Sequence, residues 1–162
     1  MQDLAKSIET FASDLWHRFR AIALTIDQVD RFVGMSPGGE VLEGESRWLQ
    51  SLAENPEEIK GVALDLVLRA FRTALESSNY QIMAHLHEHS SATFQELMEL
   101  SKLNRLSLNE SVNDLIQVGL VSKDLQTGQV QITAAGEALM NLIKQIQETL
   151  AETISTRLSK MK

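Results

Sequence analysis

The run Leu106-Ser107-Leu108-Asn109-Glu110-Ser111-Val112-Asn113-Asp114-Leu115-Ile116-Gln117-Val118-Gly119-Leu120-Val121 changes its hydrophobic period halfway, and that change organises the rest of the chain. Leu108, Val112, Leu115 and Ile116 recur at the three-and-four spacing of one buried helical face. This predicts a helix from Ser107, with Glu110 three residues on in the capping-box position, that stops at Gly119. Leu120 to Leu125 and Gln129 to Thr133 then read as two short strands around Gln126-Thr127-Gly128, where glycine supplies the positive φ of a tight hairpin. Val130 and Ile132 alternate with polar neighbours, as on a half-buried strand.

Upstream, Lys102 to Leu106 reads as a turn. Before it, Thr93 caps a helix with Glu96 completing a capping box, and Phe94, Leu97, Met98 and Leu100 supply the apolar face. Tyr80 to His89 is expected to be helical with Ile82, Met83 and Leu86 inward, after a break at Ser77-Ser78-Asn79. Asn55-Pro56-Glu57-Glu58 combines a cap, a first-turn proline and early acids, and opens a helix to about Ser77. The apolar positions of that helix, Ile59, Val62, Leu66, Val67, Ala70 and Phe71, are broad enough to imply burial on more than one face. A short helix from Ser46 to Leu52 and a loop from Gly34 to about Gly44 precede it.

Both ends of the chain carry long apolar stripes. Leu4, Ile8, Phe11, Leu15, Phe19, Ile22, Ile26, Val29 and Val33 predict a first helix of about 30 residues, near 45 Å long. Leu139, Ile143, Ile146, Leu150, Ile154, Leu158 and Met161 mark another from Ala134 onward. Such stripes need partners, and a second copy of the chain is the expected one.

The order helix, helix, turn, helix, two-stranded hairpin, helix is that of a winged helix-turn-helix. The residues from Leu106 to Val121 also resemble the recognition helix and following Gly-Leu-Val of MarR-like and ArsR-like regulators. Ile132-Thr133-Ala134-Ala135-Gly136 resembles the Leu-Thr-x-x-Gly with which their second wing strand enters the next helix. The likeness runs from Asn79 to about Ile143. It implies a mainly α chain in three parts: residues 1–78 as a helical region for dimerisation and a possible effector pocket, 79–136 as the winged domain, and 137–162 as a dimerisation helix. It also implies a DNA-binding transcriptional regulator that works as a homodimer, with its third helix in the major groove and two half-sites roughly 34 Å apart.

Asn109, Asn113 and Gln117, at i, i+4 and i+8, put three amides on one face, and amides pair with adenine in the major groove. A solvated amide face is the other reading. Lys102, Arg105 and Lys123 fall where phosphate contacts are expected, and Ser107 opens the helix beside them. Against these stand Glu110 and Asp114 and a net charge of −7; residues 79–136 hold 3 Lys and Arg against 6 Asp and Glu. The family's wing usually carries an arginine at its tip, and Gln126-Thr127-Gly128-Gln129 has none. Acidity and a bare wing favour a second reading, a winged-helix adaptor that binds protein and never touches DNA.

Other chemistry is thinly represented. The chain has no cysteine, which removes disulfides and thiolate chemistry and suits a reducing cytoplasm. No stretch is long and apolar enough to span a bilayer, so a soluble cytoplasmic protein is expected. His85 and His89 share a helix face, but no further ligand stands at a convincing spacing, and no metal or other cofactor is expected. No nucleophile motif or phosphate-cradling loop appears, so the chain does not read as an enzyme. His17 is expected to be a packing residue; Trp16, Trp48 and Phe71 are expected in the core, with the lining of a small-molecule effector pocket as the alternative.

Overall fold

The computed structural model describes residues 2–33 and 52–161, with side chains for 3–21 and 52–161. Six helices and three short strands run in the order α1 (Gln2–Val33), α2 (Pro56–Leu75), α3 (Ser77–His89), β1 (Ser91–Ala92), α4 (Phe94–Ser101), α5 (Arg105–Gln117), β2 (Val121–Lys123), β3 (Val130–Ile132) and α6 (Ala134–Ser159). The expected short helix from Ser46 and the Gly34–Gly44 loop lie outside the described residues, save for Leu52 at the helix end.

Local chemistry accounts for most of the boundaries. The Asn55 side chain accepts from the Glu58 amide, with Pro56 in the first turn of α2. Thr93 and Glu96 form the expected capping box of α4: Thr93 Oγ1 accepts from Glu96 N and Glu96 Oε2 from Thr93 N at 2.7 Å. The strands are shorter than expected, Val121–Lys123 and Val130–Ile132, and two helix boundaries differ from the sequence reading. The break between α2 and α3 falls at Glu76, in extended backbone, and Asn79 is buried inside α3 with Nδ2 donating to Thr73 O at 2.8 Å. Helix α5 begins two residues before Ser107, because Asn104 Oδ1 accepts from Ser107 N at 2.9 Å and takes the capping role.

The strands form one antiparallel sheet in the order β1-β3-β2. Val121 faces Ile132 and Lys123 faces Val130 across the hairpin; Ala92 faces Val130 on the other side. Strand β1, two residues long, was not foreseen. The hairpin turn is held by Asp124, whose Oδ1 accepts from Gln126 N and Thr127 N, while Gly128 takes φ +72°. These two backbone donors hold the Asp124 carboxyl below the usual carboxylate range, and the Thr93 amide does the same for Glu96.

A single core draws on every helix. Ile82, Met83 and Leu86 of α3 meet Leu97 of α4, Leu108, Val112 and Leu115 of α5, Val121 and Val130 of the hairpin, and Leu139 of α6. Phe11 and Leu15 of α1 join the same cluster, Phe11 lying edge-on to Phe71 at 6.2 Å. Helix α1 packs along α6. Some expected core positions are outside it: His17 and Leu100 are exposed, and Trp16 is 48% exposed. Helix α2 buries only Ala70 and Ala74, where small side chains admit it to the core; Ile59, Leu64, Leu68 and Leu75 face solvent, so its breadth is not used within one chain. From Ile146 to Met161 every residue of the last helix and its end is exposed.

The joint between hairpin and last helix is tight. Thr133 Oγ1 donates to Gly119 O at 2.7 Å and Leu120 O at 3.0 Å and accepts from Gly136 N at 3.1 Å. A Cβ on Gly136 would stand 2.2 Å from Leu120 O and 2.7 Å from Ile132 Cγ1. Backbone cannot yield cheaply there, so Gly136→Ala is expected to lower stability by on the order of 3 kcal/mol in urea denaturation; an unchanged midpoint would mean that the joint is looser than described.

Candidate functional site

Helix α5 presents two faces. Leu108, Val112 and Leu115 are buried, and Arg105, Leu106, Asn109, Asn113 and Gln117 are exposed. The short turn from α4 and the return of the hairpin bring other residues to the start of that exposed face. Phe94, Arg105, Leu106, Asn109 and Lys123 line one groove of about 450 Å³. Phe94 comes from the first turn of α4, Lys123 from the end of β2 and the other three from the start of α5, so three segments of chain converge on it. Lys123 Nζ lies 4.8 Å above the centre of the Phe94 ring, which fixes the ammonium beside the helix start.

Three of the seven residues singled out in the sequence thus meet: Arg105, Asn109 and Lys123. Asn113 is exposed one turn beyond Asn109. Ser107 is half-buried in the first turn, its amide spent on Asn104. Gln117 lies elsewhere, on a cleft of about 1090 Å³ that it shares with Leu15, Arg18, Phe19, Val62 and Leu66 between α1, α2 and the end of α5. Phe94 and Leu106 were not singled out in the sequence. At about 100° per residue Leu106 stands roughly 200° from Leu108, off the buried face; placing the cap at Asn104 would have revealed it.

The groove is electrostatically open. Ion pairs among the described residues join Arg18 to Asp14, Lys60 to Glu57, Arg69 to Asp65 and His87 to Glu137, and none uses Lys102, Arg105 or Lys123. Glu110 and Asp114 lie exposed on the same helix. The start of α5 adds its own positive end, since early backbone amides of a helix lack intrahelical partners. An anion approaching this end meets two unpaired cations, a helix dipole and an amide that can both donate and accept.

Of the aromatic trio proposed for an effector pocket, Phe71 packs on Phe11, Trp16 lies 6.2 Å from Phe19 at the surface, and Trp48 is outside the described residues. The larger cleft is lined by other residues. The rings of His85 and His89 stack at 4.3 Å, and among the described residues no three His, Cys, Asp or Glu side chains are grouped to hold a metal. No helix among them is long and apolar enough to cross a membrane. No protein-family model and no curated protein matches the chain.

Lys102 ends α4 in left-handed backbone, φ +55°, a place glycine occupies without steric cost. Lys102→Gly is expected to raise stability by about 1 kcal/mol in urea denaturation; a loss instead would show that the lysine holds the turn.

Proposed function

We propose that the chain is a transcriptional regulator that reads duplex DNA as a homodimer through a winged helix-turn-helix formed by α3 to α6 and the three strands. The observation that carries this reading is the groove at the start of α5, where Arg105 and Lys123 stand unpaired beside Asn109. Phosphate contacts from the cations would set position, while Asn109 and Asn113 would read base edges in the major groove. The hairpin from Val121 to Ile132 would be the wing, and α5 the recognition helix. The cleft shared by α1, α2 and Gln117 is the place this reading gives to a small-molecule effector.

A protein-binding adaptor is the competing reading. It is favoured by the net charge of −7 and by Leu125, 97% exposed beside a wing tip that has no cation. The two separate in one binding series. Arg105→Ala is expected to weaken binding to all duplexes alike and to flatten its salt dependence, because a phosphate contact carries charge without sequence information. Asn109→Ala or Asn113→Ala should instead relax base preference, costing on the order of 1 to 3 kcal/mol at one position. Salt-independent binding, or none to any duplex, would favour the adaptor.

The dimer is supported by apolar surface left without a partner in one chain. Ile146, Leu150, Ile154 and Leu158 of α6 are exposed at helical spacing, as are Leu64, Leu68 and Leu75 of α2. Each such side chain is worth roughly 1.5 to 3 kcal/mol when taken from water, so a few of them outweigh the cost of association. Sedimentation at micromolar concentration is expected to give twice the 18.1 kDa chain mass, and Leu150→Asp to dissociate it. A stable wild-type monomer would overturn the two-half-site scheme.

A further inference from the structure

Leu106 is 70% exposed in the first turn of a helix whose other large apolar residues are either fully buried, as Leu108, Val112 and Leu115 are, or packed against the core, as Ile116 is. The fold does not require it there. At about 100° per residue it projects within roughly 60° of Asn109 and 20° of Asn113, so it belongs to the amide face and not to the core face. It also lines the same groove as Arg105, Asn109 and Lys123. An apolar side chain in that company has a specific complement in duplex DNA. The major groove shows one apolar feature, the C5-methyl of thymine, beside the adenine edge that an asparagine amide pairs with.

We infer that Leu106 is a specificity-determining residue that packs on a thymine methyl while Asn109 reads an adjacent adenine, so that the chain selects sites with A·T pairs at the start of α5. The inference rests on the DNA-binding reading above and deepens it. The cations supply the approach to phosphate; Leu106 and Asn109 supply discrimination. A G·C pair at the same step leaves Leu106 against a methyl-free edge and leaves the amide without its paired acceptor and donor.

The test uses the full chain and a duplex enriched by it from a randomised pool. Each thymine of the enriched site is replaced singly by deoxyuridine, which removes the methyl and keeps the base pair. For the wild type, one replacement is expected to weaken binding about fourfold, the equivalent of one buried carbon returned to water. In Leu106→Ala, which changes an exposed residue to a good helix former, that penalty should vanish. If the wild type is indifferent to every replacement, or the same penalty persists in Leu106→Ala, the assignment is overturned and duplex binding stands. If no duplex is enriched, as a protein-binding face would give, both readings fall.

Discussion

The Thr133 hydroxyl shares its proton between the carbonyls of Gly119 and Leu120 and accepts from the Gly136 amide. Those three bonds tie the end of α5, the last strand and the first turn of α6 to one buried atom. Gly136 permits it, because its missing side chain is the space that Leu120 O occupies. Once this joint is set, the hairpin can return only along α5, and Lys123 is carried to the Phe94 ring at the start of that helix. The groove is therefore a consequence of packing at this joint, not of a local motif.

A second tie fixes the long first helix to the same joint. Asp14 Oδ2 accepts from Ala135 N at 3.0 Å, placing a carboxylate at the positive end of α6, and from Arg18 Nε at 3.3 Å. Arg18 in turn lies over Gly119, where a Cβ would meet its Cδ at 2.4 Å. Gly119 is left-handed at φ +81°, so it ends α5 and admits Arg18 at once. Helix α1 is thus clamped to the body by polar contacts at one point and by Phe11 and Leu15 beside it. A change in how α1 and α6 sit would reach the end of α5 through these residues.

Much of this was legible in the sequence, for physical reasons. Capping chemistry is local, so Thr93 with Glu96 could be read directly, and the three-and-four stripes marked Ile82, Leu86, Leu108 and Leu115 as core; Thr133, read as the end of a strand, caps α6 instead. The cap of α5 was misread because Asn104 and Ser107 are both good caps, and the Glu110 spacing favoured the wrong one. Strand β1 has two residues and so no period to detect. Asp14 and Ala135 lie 121 residues apart, a contact that no window can contain. Periodicity marked Ile146, Leu150 and Ile154 as a stripe that needs a partner, and one chain leaves them exposed. Of the site, Arg105, Asn109 and Lys123 were named from residue type; that they meet, and that Phe94 and Leu106 stand among them, depends on the joint at Thr133.

The central claim is that two copies of the groove at the start of α5 address one duplex together. Hydroxyl-radical footprinting of an enriched duplex by the full chain measures this directly. The account predicts two protected tracts on one face, about one helical turn or roughly 34 Å apart. A single tract, or no protection at concentrations where the chain is dimeric, would contradict it.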